Sequence, residues 1–409
     1  MKLHLSAPPD NLLRSNIQIT GSKSESNRLL LLQALYANLT IENLSNSDDA
    51  EVMQKGLRIT EGVVDIHHAG TAMRFLTGYF ASQEGKAVTL TGSQRMTERP
   101  VKVLVEALRT LGANIEYAKN EGYPPIRITG KKLTQKKVSL PANISSQYIS
   151  SLLLIAPSLE NGLELELVGK ITSVPYIKMT LALLSQIGVV NSFEGNTIKV
   201  AHKPAVKDTK LIVESDWSSA SYFYSIVALG DVGTEITLSA YRKNSLQGDS
   251  VLAEIYTNFG VETRYQENEI VLKKVESRQM TIVNCELSNA PDIAQTIAVT
   301  CLGLGIGCHL TGLHTLKIKE TDRLEALYNE LSKLGADISV TDKTLTLYAT
   351  HTINKEVVIE TYNDHRMAMA FAPLALKTSL LINDAGVVSK SYPDFWEDLK
   401  KLGFEVVQS

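Results

Sequence analysis

The sequence predicts an α/β protein of two domains in which one helix–strand unit recurs along the chain. The chain has 409 residues, which is more than one hydrophobic core usually organises, so two domains are expected. One pattern, an amphipathic helix followed by a glycine and then an alternating strand, also recurs five times. Its spacing of roughly 70 residues indicates an internal repeat that is too long for a solenoid.

The repeated pattern also predicts where its helices end. A glycine at the end of a helix typically adopts the left-handed conformation that stops the helix before a strand. The five glycines in this position are Gly112, Gly188, Gly260, Gly335 and Gly403. Residues 49–66 resemble a sixth, degenerate copy, so that six units divide into three for each domain.

The domain boundaries follow from the position of the units. A strand at residues 16–20 precedes the first complete unit, and a turn at residues 213–216 follows the third. We therefore expect a first domain at residues 19–214. The second domain should comprise residues 1–18 together with 215–409.

Composition excludes several classes of protein. The net charge of −3 argues against a nucleic-acid-binding protein. No apolar signal segment is visible at the N-terminus, and the uncharged run at residues 293–316 has the pattern of a helix, a turn and a strand rather than of a membrane span. Cys285, Cys301 and Cys308 lack Cys-x-x-Cys spacing, which fits core residues in a reducing, cytoplasmic compartment.

Several segments in the first half place cationic or hydroxyl side chains where a helix begins. Free amide groups there attract anions, although each segment is also compatible with an ordinary helix cap or a surface salt bridge. The segments are 21–28 (Lys23, Ser24, Arg28), 68–74 (His68, Gly70), 95–100 (Arg95, Arg99, with Pro100 as the first helical position) and 145–148 (Ser145, Ser146, Gln147). Ser173 and Tyr176 repeat the last pattern. His67 and His68 lack a third metal ligand at a usable spacing, so no metal site is expected.

The second half adds a dense cluster of charges. Five of the seven residues in segment 317–323 are charged, and they follow the uncharged run that Asp292 precedes. His365 and Arg366 stand before a smooth helix, where their charge opposes the helix dipole, and such a broken local rule suggests function. Lys390 is a further cation before a helix. A solvated helix start remains the alternative for each segment.

Seven motifs together resemble the 5-enolpyruvylshikimate-3-phosphate synthase family. They are Gly-Ser-Lys-Ser-x-Ser-Asn-Arg, Ala-Gly-Thr-Ala-Met-Arg, Arg-Met-x-x-Arg-Pro, Ser-Ser-Gln, Lys-Glu-Thr-Asp-Arg-Leu, Asp-His-Arg-Met-Ala-Met and Ser-Lys-x-Tyr-Pro-Asp, in the family's order between Gly21 and Asp394. The resemblance implies two inside-out α/β domains, each of three βαβαββ units, with the active site in the interdomain cleft. It also implies enolpyruvyl transfer from phosphoenolpyruvate to the 5-hydroxyl of shikimate 3-phosphate, without a metal or organic cofactor.

The resemblance assigns roles residue by residue. The expected catalytic residues are Asp292, Glu320, Lys23, Lys319 and His365. Contacts to shikimate 3-phosphate are expected from Lys23, Ser24, Arg28, Ser145, Ser146, Gln147, Ser173, Tyr176, Asp292, Thr315 and Lys319. Contacts to phosphoenolpyruvate are expected from Lys23, His68, Gly70, Arg95, Gln147, Arg323, Arg366 and Lys390. Asp322 is expected to cap a helix. We expect a cytoplasmic monomer that binds small molecules, with no nucleic-acid or membrane partner.

The chain departs from the family pattern at three places. His67-His68 stands where Gly-Asn is usual, Thr315 where Asn is common, and Lys317 where Arg is common. Two alternatives are UDP-N-acetylglucosamine enolpyruvyl transferase, whose catalytic Cys in the first domain has no counterpart before Cys285, and a non-catalytic RNA-end-binding protein, which the negative net charge disfavours.

Overall fold

The structure of the protein is a computed structural model that describes residues 1–10, 12–143, 145–169, 171, 174–276 and 280–409. Strands and helices are interspersed along the chain. The strands are β1 (Leu3–Ser6), β2 (Arg14–Ile17), β3 (Leu39–Glu42), β4 (Glu61–Asp65), β5 (Ala87–Thr91), β6 (Asn114–Tyr117), β7 (Ile126–Thr129), β8 (Lys137–Pro141), β9 (Leu163–Val168), β10 (Asn191–Glu194), β11 (Thr197–Val200), β12 (Thr209–Ile212), β13 (Glu235–Ser239), β14 (Val261–Tyr265), β15 (Glu269–Lys274), β16 (Ile282–Glu286), β17 (Gly307–Thr311), β18 (Ile338–Val340), β19 (Leu345–Leu347), β20 (Val357–Ile359), β21 (Leu380–Ile382) and β22 (Glu405–Gln408).

The helices lie between the strands, and short 3₁₀ turns extend several of them. They are α1 (Lys23–Leu35), α2 (Asp48–Leu57), α3 (Gly70–Ser82), α4 (Gln94–Thr97), α5 (Lys102–Leu111), α6 (Ser146–Ile155), α7 (Val174–Gln186), α8 (Trp217–Leu229), α9 (Leu252–Ile255), α10 (Ala294–Leu304), α11 (Arg323–Lys333), α12 (His365–Phe371) and α13 (Phe395–Lys401).

The sheets share one topology. Each four-stranded sheet joins a parallel pair to an antiparallel pair, and the strand orders are β4-β5-β7-β6, β8-β9-β11-β10, β2-β13-β15-β14, β16-β17-β19-β18 and β20-β21-β1-β22. In the last sheet the N-terminal strand β1 takes the central place in the antiparallel part. Strands β3 and β12 form a parallel pair. The recurrence of one sheet topology is the structural form of the repeat.

The chain divides into two compact units. One unit comprises residues 21–213, and the other comprises residues 1–20 together with 214–409. The sequence predicts crossings after residues 18 and 214, whereas the contacts divide the chain after residues 20 and 213.

Each unit has its own core of packed helices. In the unit of residues 21–213, helix α3 packs against α6, and Phe75 and Phe80 are fully buried. In the other unit every residue of α8 is buried, and Trp217 packs edge-on against Tyr241 with ring centroids 5.1 Å apart. A helix that is buried on nearly all sides lies in the interior of a domain, so these helices form the core of each unit.

The predicted helix stops are confirmed. Gly112, Gly188, Gly260, Gly335 and Gly403 all have positive φ, between 74° and 108°, and a strand follows each of them. The copy that ends at Gly260 is less regular than predicted, because its helical part consists of α9 between two 3₁₀ turns. The degenerate copy contains α2 and β4, but Gly56 lies inside the helix and does not stop it.

Several predicted bounds are wrong. Strand β2 covers Arg14–Ile17 rather than residues 16–20, because its parallel pairing with β13 runs from Arg14 to Ile17. The helix expected to start at Pro100 is α5, which begins at Lys102. Helix α1 begins at Lys23 and not at Arg28.

The uncharged run at residues 293–316 forms α10 and β17, as predicted. No helix among the described residues is long and apolar enough to span a membrane. Cys301 and Cys308 are fully buried, and burial raises the pKa of the partly buried Cys285 thiol to about 11.

Candidate active site

The predicted anion site at segment 21–28 lies in the first turns of α1. Lys23 opens the helix, and its ammonium lies 3.3 Å from the carboxylate of Asp49 on α2. Ser24 follows it, and the backbone oxygen of Ser24 accepts a hydrogen bond from Arg28 at 2.7 Å. The helix N-terminus and the two cations therefore place positive charge at one end of α1.

Arg28 connects three helices. Its Nε donates to Thr180 Oγ1 on α7 at 2.8 Å, and one terminal nitrogen donates to Ser150 Oγ on α6 at 3.0 Å. The Tyr176 ring centre lies 5.8 Å from the guanidinium carbon. Burial lowers the pKa of Arg28 to about 10, yet the group remains a cation at neutral pH. Ser173, the other predicted contact on this side, lies outside the described residues.

The starts of α3 and α6 are connected directly. Ser145 caps α6 by accepting a hydrogen bond from the Gln147 amide, which was the alternative to a substrate contact, and Ser146 is the first residue of the helix. The Gln147 side-chain amide donates to Thr71 Oγ1 in the first turn of α3 at 3.2 Å. Gln147 thus lies beside Gly70, which begins α3.

The two arginines of segment 95–100 lie in different environments. Arg95 is part of the short helix α4, is 66% exposed and pairs with Glu98 at 3.3 Å. Arg99 instead lies against Gly70, where a methyl group added at Gly70 would be 2.8 Å from Arg99 Nη1 and 3.3 Å from Arg74 Nη1. The sequence predicts no separate role for Arg99, since segment 95–100 indicates only that Arg95 and Arg99 are two cations before a helix.

A cavity of about 190 Å³ opens between α2 and the residues that precede α3. Its lining residues are Asp48, Asp49, Glu51, Val52, Lys55, Ile66, His67, His68 and Ala69. His67 has a left-handed backbone (φ 48°), and its carbonyl accepts a hydrogen bond from the Ser93 amide. His68 follows it and is exposed, so both histidines that replace the usual Gly-Asn border this cavity.

In the other unit, six charged residues form what we call the carboxylate–cation cluster: Asp292, Lys319, Glu320, Arg323, Asp364 and Arg366. Its centre is Arg323, which is 1% exposed. The Arg323 guanidinium donates to Asp364 at 2.6 Å, to Asp292 at 2.8 Å and to Glu320 at 2.9 Å. This arginine therefore fixes three carboxylates in place, a role that its predicted contact with phosphoenolpyruvate did not include.

Asp292 has three cations around it. Besides Arg323, the ammonium of Lys319 lies 3.3 Å from Oδ1, and Arg366 lies 3.5 Å from Oδ2. Burial alone would raise the pKa of Asp292, but Lys319, Arg366 and Arg323 outweigh burial and hold this pKa well below its usual range. Asp292 is consequently an ionised carboxylate.

Asp364 explains how a His-Arg pair can begin α12. Its carboxylate caps the helix by accepting a hydrogen bond from the Arg366 amide, and its negative charge offsets the cations at the positive end of the dipole. His365 is only 2% exposed and lies 3.9 Å from Asp364. Asp322 caps α11, as predicted, by accepting hydrogen bonds from Leu324 and Glu325 amides.

Asp249 is a further carboxyl group near this cluster. It lies in a 3₁₀ turn before α9 and is 8% exposed. Burial, and then the negative charge of Asp292, raise the pKa of Asp249 to about 7. No charge density or periodicity marks Asp249 in the sequence, because only tertiary packing brings it close to Asp292.

The last three residues that the sequence singles out, Lys390, Thr315 and Lys317, differ in their contacts. Lys390 donates to the Asn363 backbone oxygen at 2.6 Å. The Thr315 hydroxyl is buried, and within the described ranges it has no hydrogen-bond partner. Lys317 pairs with Asp342 at 2.6 Å on the surface.

Fixed cations and helix N-termini bind anions, and an ionised carboxylate can take part in proton transfer. These groups are typical of a group-transfer enzyme that acts on anionic substrates. The comparisons with known proteins specify this class further. The sequence model of the family described as EPSP synthase (3-phosphoshikimate 1-carboxyvinyltransferase) matches residues 59–399. The chain therefore belongs to the EPSP synthase family.

Full-length relatives and solved structures agree with this family. A 3-phosphoshikimate 1-carboxyvinyltransferase from Bacteroides fragilis is 46% identical over 99% of both chains. One from Photobacterium damsela subsp. piscicida is 36% identical over 97% of this chain and 99% of the relative. The 2.37 Å structure of EPSP synthase from Acinetobacter baumannii has the same fold, with a TM-score of 0.82 over 100% of both chains at 22% identity.

Proposed function

We propose that this chain transfers the enolpyruvyl group of phosphoenolpyruvate to the 5-hydroxyl of shikimate 3-phosphate and releases phosphate. Family membership over residues 59–399 supports the reaction. The observation that carries the chemistry is Asp292, a carboxylate that Lys319, Arg323 and Arg366 keep ionised. Such a group can accept the proton that the 5-hydroxyl loses.

The addition step needs an acid and a base at different atoms. The methylene carbon of phosphoenolpyruvate gains a proton, and the neighbouring carbon becomes electron-poor and bonds to the 5-oxygen. We assign Glu320 to protonate the methylene carbon and Asp292 to accept the hydroxyl proton. Arg323 contacts both carboxylates, so it sets the distance between the acid and the base.

The elimination step reverses the first proton transfer. The tetrahedral intermediate loses a methyl proton, which returns to Glu320, while the bond between carbon and the phosphate oxygen breaks. The phosphate leaves with the proton that Asp292 accepted, so that protons balance over the cycle. A fixed cation such as Arg366 stabilises the charge that develops on the leaving phosphate.

Phosphate release tests this function directly. Purified protein should release inorganic phosphate from phosphoenolpyruvate only when shikimate 3-phosphate is present. Absence of release with both substrates would overturn the proposal. Release with UDP-N-acetylglucosamine instead would assign the chain to the sister reaction, and RNA-end binding without any release would assign it to the non-catalytic class.

Two substitutions test the acid and base. Asp292→Asn and Glu320→Gln should each lower kcat by roughly 10²- to 10⁴-fold, because each removes one proton transfer. Asp342→Asn is the matched control, since Asp342 is an exposed carboxylate that pairs with Lys317 on the surface, and its turnover should equal that of the wild type. Near-normal turnover of Asp292→Asn or Glu320→Gln would remove that residue from its role.

The cellular location, the oligomeric state and the binding partners are part of the same proposal. We infer a cytoplasmic enzyme that works as a monomer and binds neither nucleic acid nor membranes. The net charge of −3 disfavours binding to polyanions. Sedimentation at assay concentrations should give the mass of a single chain, and a stable dimer would contradict this part.

A further inference from the structure

Gly70, Arg74 and Arg99 bring two guanidinium groups to the start of α3. A methyl group at Gly70 would lie 2.8 Å and 3.2 Å from the two terminal nitrogens of Arg99, and 3.3 Å from Arg74 Nη1. Arg74 is 4% exposed, and Gly70 is also buried. Two cations thus face the same small volume beside the free amides of a helix N-terminus.

Within the part of the chain that the structure describes, no carboxylate forms an ion pair with either arginine of this pair. Arg74 donates to the Gly70 and Pro100 backbone oxygens and contacts the Met96 sulfur, which are all neutral. Among the residues that the structure describes, the Arg74 Nε is buried without a partner, and the Arg99 guanidinium makes no hydrogen bond or ion pair. Burial, and then the charge of Arg99, lower the pKa of Arg74 to about 10.

The two arginines repel each other, and they are partly shielded from water. The amides at the helix N-terminus also attract negative charge. This place is therefore electrostatically complementary to an anion. Gln147, which hydrogen-bonds Thr71 in the same turn, adds a neutral donor there. We propose that Arg99 binds the anionic oxygens of phosphoenolpyruvate at the start of α3, with Arg74 reinforcing the positive potential behind it. This inference rests on the proposed function and adds Arg99 to the contacts that the family resemblance assigns.

Gly70 acquires a specific role from this arrangement. Its φ is not positive, so the backbone does not require glycine there. Space requires it instead, because a side chain would displace the Arg99 guanidinium. Gly70 and Arg99 therefore act as a pair, and the effects of changing them should not be additive.

The main experiment compares Arg99→Gln with a matched control, Arg127→Gln. Arg127 is exposed on β7 in the same unit. With shikimate 3-phosphate saturating, Arg99→Gln should raise the KM for phosphoenolpyruvate by roughly tenfold or more, as the loss of a charge-assisted hydrogen bond implies. The KM for shikimate 3-phosphate should stay within about twofold, and Arg127→Gln should change neither value.

Further variants exclude a structural explanation. Arg99→Gln should have a melting temperature at least equal to that of the wild type, because within the described residues the Arg99 side chain has no hydrogen bond to lose and its charge repels that of Arg74. Arg99→Lys should recover part of the affinity, since it keeps the charge without the fork geometry. Gly70→Ala should raise the same KM, and adding Arg99→Gln to it should raise this KM little further.

The outcomes separate this inference from the proposed function. An unchanged KM for phosphoenolpyruvate in Arg99→Gln, or a rise confined to shikimate 3-phosphate, would overturn the role of Arg99 while wild-type turnover upholds the reaction. If the wild type releases no phosphate, calorimetric titration with inorganic phosphate still tests the anion site. Weaker binding in Arg99→Gln supports the site, and equal binding overturns it.

Discussion

Arg323 has the most consequential environment of any single residue in the candidate site. Its guanidinium is almost fully buried and donates to Asp292, Glu320 and Asp364. Taking a cation out of water is costly, and only good geometry with several acceptors compensates for that cost. This arrangement holds three carboxylates at fixed positions, and two of them, Asp292 and Glu320, are those to which we assign proton transfer.

Arg323→Lys should therefore be strongly destabilising. A lysine has no planar fork and cannot reach three carboxylates, so at least one buried charge loses its partner. The free energy of unfolding should fall by about 3–5 kcal/mol, as for other broken buried pairs. Urea denaturation measures this change. The exposed pair of Arg264 with Glu262 offers the control, and Arg264→Lys should leave the urea midpoint unchanged.

The raised pKa of Asp249 predicts that the free energy of unfolding depends on pH. Its folded-state pKa of about 7 is above the ordinary value of 3.8. Between these two values the folded chain holds a proton that the unfolded chain releases, so this group makes the wild type less stable as pH rises through that window. Asp249→Asn lacks this effect, and its stability relative to the wild type should increase from pH 4 to pH 7.

Chemical denaturation of both proteins at several pH values measures this difference. The difference in unfolding free energy should change by at most about 1.4 kcal/mol for each pH unit, and it should level off above pH 7. A difference that is the same at every pH would show that Asp249 titrates normally in the folded protein.

At the scale of elements, the ends of helices determine both the repeat and the site. Glycines in the left-handed conformation stop the helices of the repeated pattern. Asp322 and Asp364 cap α11 and α12 at the other end. The two aspartates also precede Arg323 and Arg366, so the caps that start these helices orient the two arginines of the carboxylate–cation cluster.

Gly112→Ala tests a helix stop. Gly112 has φ 108°, and an added methyl group would meet no atom within 4 Å. Any cost therefore comes from backbone strain alone, about 1–2 kcal/mol for a residue with a Cβ in this conformation. Gly386→Ala is the matched control, since Gly386 also has open space but no positive φ. Equal melting temperatures for the two variants would contradict a conformational role for Gly112.

At the scale of the whole molecule, the unit of residues 21–213 is one continuous stretch of chain. Its two ends lie close together, because a methyl group at Gly21 would be 2.6 Å from the Val213 side chain, and Asn43 donates to the Val213 backbone oxygen. Strand β12 pairs with β3 inside the same unit. Neither end is therefore needed elsewhere to complete this unit's core.

Residues 21–213 expressed alone should fold cooperatively. Domains with their own core and adjacent termini usually tolerate excision. Circular dichroism during thermal unfolding should show one sharp transition. The fragment should not release phosphate, because it lacks Asp292, Glu320 and Arg323. A fragment without a cooperative transition would show that its core depends on the rest of the chain.

The sequence predicted the repeat, the helix stops, the Asp322 cap and the family, because these depend on local rules or on motifs that stand close together. It predicted the first and last residues of strands and helices less well. Pairing with β13 determines where β2 begins and ends, and α1 begins five residues before the predicted start at Arg28. Hydrogen-bonded pairing and side-chain packing decide such bounds, and neither is encoded within a single segment.

The sequence by itself determined which residue types gather at helix starts and that the chain handles an anionic substrate. Only the tertiary structure decided how those charges are paired. Arg323 contacts carboxylates 31 and 41 residues away, Asp249 comes close to Asp292, and Arg99 rather than Arg95 lies against Gly70. Burial sets the strength of each charge interaction, and burial exists only after distant segments have packed together.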